Sequence, residues 1–310
     1  MTLTNLYARC TFVSLLALAG PATSAIDCRL DANISSKQAH AGPCGFDIKK
    51  QSFAGTAAEQ AACLTREVRR VAKIGGPTIT PFLSTLVGKP GPAPRKVQRL
   101  LDRLLVKSDT VGGTLDSVIP ADYFIIHDTS SPNCSASEES ASCPKRGQLP
   151  ENRDDPEWKT NKNFGGHPKK GSERKAHVYT NRVGGSITEI NLAEPKETTK
   201  FEKCHDRAAK TGRFVGIENI QPRVGDPRIP KEGVKANDFD APIPGFTDKQ
   251  YERLALIYVV ASARRGQWLI PAFHAVLDQY YASGHDDPQH FDMAAFSAAV
   301  KKQVDSLATP

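Results

Sequence analysis

Three stretches of the chain distribute their apolar residues as buried β-strands do. Residues 123–126 form a short apolar run between polar neighbours, which is consistent with a buried strand. Residues 177–182 and 186–191 alternate around a Val-Gly-Gly turn and predict a hairpin. Residues 214–220 alternate as well and predict a further strand.

Helical periodicity surrounds these strands. Two amphipathic stripes precede them, and both are expected to be core: Cys63, Leu64, Val68 and Val71, then Val97, Leu100, Leu101, Leu104 and Leu105. A third helix is predicted after Thr247, with Gln250 at the capping-box position and Gly266 at its end. We therefore expect an α/β fold with a mixed central sheet flanked by helices, preceded by a small helical region.

The chain is expected to divide into three parts. Residues 1–25 resemble a secretory signal peptide, because Arg9 is their only charged residue and small residues up to Ala25 follow a short apolar core. A buried N-terminal helix is the alternative. Residues 26–115 are the small helical region, and 116–310 a catalytic domain with a polar insertion at about 131–174. An exported protein, periplasmic or secreted, follows from this division.

Cysteine usage agrees with export. Cys10 lies in the predicted leader, and the six remaining cysteines form an even set that suggests disulfides. They are Cys28, Cys44, Cys63, Cys134, Cys143 and Cys204. Their pairing stays open, with Cys134–Cys143 as the local candidate.

The net charge indicates the kind of partner. It is +7 for the whole chain and +6 once Arg9 is removed, which suits a polyanion. No nucleic-acid-binding module is visible, and cell-wall polymer fits the compartment better. No later stretch is apolar enough for stable membrane insertion, and we expect a monomer.

Candidate chemistry concentrates at the ends of the predicted elements. His127 follows the first strand directly, and Glu218 would share one face of its strand with Gly216. A carboxylate there could form a salt bridge, or it could act as a general base with a raised pKa. His274 and residues 284–292 add further histidines and aspartates. Three such ligands and one open position make a catalytic zinc site.

Four segments in order resemble the zinc-dependent N-acetylmuramoyl-L-alanine amidases, whose fold is shared by peptidoglycan recognition proteins. They are Phe-Ile-Ile-His127-Asp-Thr-Ser, Ala176-His177-Val-Tyr-Thr-Asn-Arg-Val-Gly184, Gly216-Ile217-Glu218 and His285-Asp-Asp287-Pro-Gln-His-Phe291-Asp292. The resemblance covers a little over half of the chain. It implies hydrolysis of the amide bond between N-acetylmuramic acid and L-alanine, with peptidoglycan or muropeptides as substrate.

The same resemblance implies roles for individual residues. His127, His274 and Asp287 would bind Zn²⁺, and Glu218 would be the catalytic acidic residue. His285 stands where the family has a catalytic Lys, and it would stabilise the oxyanion as an imidazolium. In a rival alignment His285 is the second zinc ligand. A non-catalytic peptidoglycan-binding protein and a zinc peptidase with another exported substrate are the alternative functions.

Overall fold

The computed structural model describes residues 28–30, 43–47, 49–69, 73–132, 164, 175–205, 211–223, 241–282 and 284–308. The expected signal peptide, the Cys134–Cys143 pair and nearly all of the expected insertion at 131–174 lie outside these residues. In chain order the elements are α1 (Ala57–Leu64), β1 (Arg66–Arg69), β2 (Lys73–Pro77), α2 (Pro81–Leu86), α3 (Pro94–Arg103), β3 (Tyr123–Asp128), β4 (Val178–Thr180), β5 (Ser186–Thr188), α4 (Lys200–Cys204), β6 (Phe214–Asn219), α5 (Asp248–Arg265), β7 (Ile270–Phe273), α6 (His274–Asp278) and α7 (Met293–Leu307).

A five-stranded sheet in the order β5-β4-β6-β3-β7 forms the centre of the molecule. The hairpin strands β4 and β5 are antiparallel, whereas β4–β6, β6–β3 and β3–β7 are parallel pairs. The sheet is therefore mixed, as the sequence predicts. The strands predicted at 123–126 and 214–220 and the predicted hairpin are all confirmed.

The sheet is covered on both faces. On one face, apolar side chains from alternate positions of β3 and β6 share a large buried cluster with α5 and α7: Phe124, Ile126, Val215 and Ile217. On the other face, Tyr123, Ile125 and Phe214 pack with Phe46, Phe53, Phe201 and the helix α1. The period-2 alternation of the strands thus places one set of side chains on each face.

Helix α5 begins and ends where its sequence predicts. The Thr247 side chain accepts a hydrogen bond from the backbone N–H of Gln250, and the Gln250 side chain returns the contact to the N-cap. Gly266 ends the helix in the left-handed conformation, with φ of 74°.

The first predicted stripe is only partly helical. Helix α1 starts at the predicted capping box of Thr56 and Glu59 but ends at Leu64, and the chain continues as strand β1. Val68, expected on the helical stripe, instead lies in β1, where it is buried and pairs with Ile74 of β2. The prediction of one continuous helix was wrong here because Thr65 leaves helical geometry, with φ of −114° and ψ of 47°, and the residues after it pair as a strand with β2.

The second stripe is also shorter than expected. Val97, Leu100 and Leu101 are buried on α3, but the helix ends at Arg103. Leu105 has a positive φ of 54° and is 92% exposed. Once the chain leaves helical geometry, spacing of three and four residues no longer keeps side chains on one face.

Two disulfides lie within the described residues, Cys28–Cys204 and Cys44–Cys63. The first joins the start of the described chain to the end of α4, and the second holds a 3₁₀ turn against α1. The expectation of disulfides is confirmed for these four cysteines. None of the described helices combines the length and hydrophobicity that a bilayer crossing requires.

Candidate metal centre

The ends of three parallel strands bring the candidate residues together. His127 on β3 lies in register with Glu218 on β6. Ile126 is in register with Phe273 on β7, so His274, the next residue, follows beside His127. The carboxyl ends of parallel strands are where open α/β sheets bind their ligands.

His127, His274 and Asp287 form a compact buried group whose nitrogen and oxygen atoms could hold a metal ion. His127 Nδ1 lies 2.9 Å from His274 Nδ1, which lies 3.1 Å from Asp287 Oδ2. The distance from His127 Nδ1 to Asp287 Oδ2 is 3.6 Å. Ligand atoms on a tetrahedral zinc with bonds near 2.0–2.1 Å are about 3.3 Å apart, so the three spacings suit such an ion.

Each histidine is oriented by a partner on its outer nitrogen. His127 Nε2 donates to Thr198 Oγ1 at 3.1 Å, and His274 Nε2 donates to Asp278 Oδ2 at 2.9 Å. These bonds leave both Nδ1 atoms directed at each other and at Asp287. A carboxylate or hydroxyl on the second ring nitrogen is the usual support of a metal-binding histidine.

The ionisable side chains in this group shift one another's pKa values. Burial, together with the neighbouring His274, lowers the pKa of His127 to about 3. Burial also disfavours a charged His274, but Asp287 and Asp278 outweigh it and raise the pKa of His274 well above its usual value. Despite its burial, the pKa of Asp287 is held low, chiefly by His274. The pocket therefore stabilises a cation between its carboxylates, which is the electrostatic requirement for a metal site.

The loop that carries Asp287 is fastened to the end of β3. The Asp128 backbone N–H donates to Asp287 Oδ2 at 3.2 Å. The Asp128 carboxylate accepts the backbone N–H of Gln289 at 3.1 Å and pairs with the buried Arg223 at 2.7 Å. These bonds fix the position of the third candidate ligand.

Glu218 is a carboxylate without a hydrogen-bonding partner for its buried Oε2 among the described residues. Burial raises the pKa of Glu218 well above its usual value, and the negative charge of Asp287 raises it further. A proton-accepting group of this kind next to a cation-binding pocket can transfer protons during a reaction.

His285 lies beside the group of three rather than within it. Its ring stacks on His274 with centroids 4.8 Å apart, and its Nδ1 is 4.0 Å from Asp287 Oδ1. Its side chain is 39% exposed, whereas the His274 side chain is 7% exposed. Burial and the nearby His274 lower the pKa of His285.

His177, in the hairpin segment, forms hydrogen bonds to backbone groups on both of its ring nitrogens. The Gly216 backbone N–H donates to its Nδ1 at 3.1 Å, and its Nε2 donates to the Glu194 carbonyl at 3.0 Å. Both ring nitrogens are thus occupied by backbone groups, and His177 has no free atom for a ligand.

Sequence reasoning did not identify the outer residues of the site. Asp278 stands four residues after His274, a spacing that places both on one helical face and could have been noticed. Thr199 and Glu202 have capping-box spacing, which marks the short helix beside Thr198. No local pattern indicates that Thr198 reaches His127.

No protein-family model matches the chain, and no curated protein matches it. Among solved structures, the crystal structure of a selenomethionine AmpD derivative aligns with 59% of this chain and 89% of that chain. The identity is 15% and the TM-score is 0.29. This likeness supports no functional statement, which must come from the site itself.

Proposed function

We propose that this protein is a zinc-dependent amidase that cleaves peptidoglycan between N-acetylmuramic acid and the L-alanine of its stem peptide. The observation that carries the proposal is the buried group of His127, His274 and Asp287, with Glu218 on the adjacent strand. Two imidazoles and one carboxylate are a common protein ligand set for catalytic zinc.

The residues present fit zinc through their donor atoms. Both Nδ1 atoms and the Asp287 carboxylate converge, and both Nε2 atoms are engaged elsewhere. When bound, zinc would supply Lewis-acid activation of water and of the scissile carbonyl.

Glu218 would move the proton in this reaction. Its carboxylate would take a proton from the attacking water and pass it to the departing amine. The raised pKa supports this role, because it makes the carboxylate a stronger base toward the proton of the attacking water.

His285 would orient the substrate carbonyl or stabilise its developing negative charge. The lowered pKa favours a neutral ring near pH 7, so we propose an N–H donor here rather than the imidazolium expected from the sequence. Its partial exposure gives a substrate access to that ring.

The choice of substrate rests on the sequence resemblance, in which four motifs occur in the family's order. Export is part of the proposal, and the two disulfides support it, since such bonds persist mainly in oxidising compartments.

Digestion of purified peptidoglycan by the mature protein, followed by mass spectrometry, tests the proposal. We expect free stem peptides with an exposed L-alanine amine and glycan strands with intact lactyl groups. Loss of this activity in a chelator and its return with Zn²⁺ would establish the metal requirement.

Other products would support another function. Cleavage within the stem peptide would indicate a zinc peptidase. Binding of peptidoglycan without any product, by protein that holds stoichiometric zinc, would indicate a recognition protein and refute the amidase proposal.

A further inference from the structure

One short segment supports the outer side of both candidate histidine ligands, His127 directly and His274 through Asp278. Residues 198–204, here called the orienting segment, contain Thr198 and helix α4. Thr198 Oγ1 accepts from His127 Nε2. The backbone N–H groups of Lys200 and Phe201 donate to the Asp278 carboxylate at 3.1 and 2.8 Å, and that carboxylate accepts from His274 Nε2.

Glu202 holds the segment together. Its Oε2 accepts hydrogen bonds from the backbone N–H and the hydroxyl of both Thr198 and Thr199, at 3.0 to 3.1 Å. Because the Thr198 hydroxyl donates to Glu202, its oxygen is left to accept from His127. The direction of each bond in the chain from Glu202 to His127 is thereby fixed, and with it the tautomer that presents Nδ1 to a metal.

Gly216 leaves the space that Thr198 occupies. A Cβ at position 216 would lie 2.5 Å from both Thr198 Oγ1 and Cγ2, closer than real Cβ contacts allow. The absence of a side chain at this point of β6 therefore lets Thr198 lie against the sheet and reach the His127 ring.

The orienting segment is covalently held at its far end. Cys204, its last residue, forms a disulfide with Cys28, 176 residues earlier in the chain. The Cys44–Cys63 disulfide joins two residues that lie outside the segment. The molecule thus offers one disulfide attached to the support of both histidines and one that is not.

We infer that the orienting segment sets the metal affinity of the site: Thr198 is a positioning residue for His127, and the Cys28–Cys204 disulfide holds the segment in place. The inference rests on the proposed function, since it takes the His127, His274 and Asp287 group to bind zinc. It concerns residues that touch neither metal nor substrate.

Zinc affinity, measured by competition with a chromophoric chelator, tests the role of Thr198. Thr198→Val keeps the shape but removes the hydroxyl, and we expect zinc to bind about 10–100-fold more weakly, the usual cost of losing an outer partner. Thr198→Ser restores the hydroxyl and should restore most of the affinity. Thr199→Val is the matched control, because Thr199 has the same Glu202 partner, whereas the hydroxyl bonded to His127 Nε2 is that of Thr198. Its loss of affinity should be smaller.

Co²⁺ substitution gives an independent readout of geometry. The visible absorption of the Co²⁺ protein should change in Thr198→Val and return in Thr198→Ser. Unchanged zinc affinity in Thr198→Val, or equal losses in the Val and Ser variants, would overturn the positioning role. If the wild-type protein itself bound no zinc, the proposed function would fail first, and the two failures are therefore distinguishable.

The paired disulfides test the tether. We expect the Cys28→Ser/Cys204→Ser variant to bind zinc more weakly than the wild type, and the Cys44→Ser/Cys63→Ser variant to keep wild-type affinity. Thermal unfolding in a chelator shows whether each metal-free variant is folded. Equal zinc affinity in the two double variants would overturn the role of the Cys28–Cys204 disulfide.

Discussion

Two regions of the central sheet each contain a buried histidine, and the two side chains have different kinds of partner. His177, at the start of the hairpin, and His127, at the end of β3, are almost wholly excluded from solvent. Burial lowers the pKa of both, to about 4 for His177 and about 3 for His127. Neither burial nor the direction of the pKa shift therefore separates a structural histidine from a candidate ligand.

The partners of the ring nitrogens separate the two regions. Both nitrogens of His177 bond to backbone groups. His127 has a partner on Nε2, but its Nδ1 faces another histidine nitrogen and a carboxylate oxygen. A single cation can bind two nitrogens and an oxygen that converge on one point. This convergence distinguishes the candidate metal site from the surroundings of His177.

Removing a ligand should give the largest difference between the regions. His274→Ala should lose stoichiometric zinc and all amidase activity, because the remaining His127 and Asp287 cannot enclose the ion. Elemental analysis and the peptidoglycan assay measure both. His285→Ala is the comparison variant and should retain zinc with a reduced rate. The reverse result, zinc lost in His285→Ala and kept in His274→Ala, would support the rival alignment.

Glu218→Gln should have the next largest effect. The substitution removes the proton acceptor but no candidate ligand, so the rate should fall by about 10²–10⁴-fold while zinc content stays at wild type. Single-turnover kinetics with a soluble muropeptide and metal analysis of the same sample check this. A near wild-type rate would show that Glu218 has no catalytic role.

At His177 the expected effect is on stability alone. His177→Phe keeps the ring volume but leaves the Gly216 backbone N–H without its acceptor, which should lower the free energy of unfolding by about 1–3 kcal/mol. Urea unfolding in a chelator measures this, and zinc affinity should stay the same. A large loss of zinc affinity in this variant would show that His177 also supports metal binding, which would contradict the difference proposed between the two regions.

Glu202 should show its effect in the pH dependence of stability. Burial raises its pKa from 4.5 to about 7 even though Thr198 and Thr199 donate hydrogen bonds to it. The folded state thus binds this proton more tightly than the unfolded state, and the contribution of Glu202 to the free energy of unfolding falls as pH rises from about 4.5 to 7. Glu202→Gln should remove that slope. An unchanged slope in chelator-treated protein would contradict the assignment.

The sequence predicts the sheet better than it predicts the region before it. Strands β3 and β6 and helix α5 carry period, turn and cap signals that agree with one another, and the structure follows them. The stripe from Cys63 to Val71 has helical spacing, but Val68 is buried by pairing within a two-stranded sheet. Tertiary pairing overrode the local pattern there.

The candidate site was accessible to sequence reasoning only in part. His127, Glu218 and His274 lie at the ends of strands, and parallel neighbours meet at one edge of a sheet. Thr198 and Arg223 lie in segments without period, and nothing local tells which buried group they reach. Their contacts depend on how loops fold over the strand ends, which a pattern of apolar positions does not encode.

The strand order also determines when the site can form. Strand β3 lies between β6 and β7, and His127 meets His274 across 147 residues of chain. No fragment shorter than residues 127–287 contains all three candidate ligands, and such distant pairings form slowly. We therefore expect metal to bind once the sheet is assembled and, by mass action, to stabilise the finished molecule over incomplete ones.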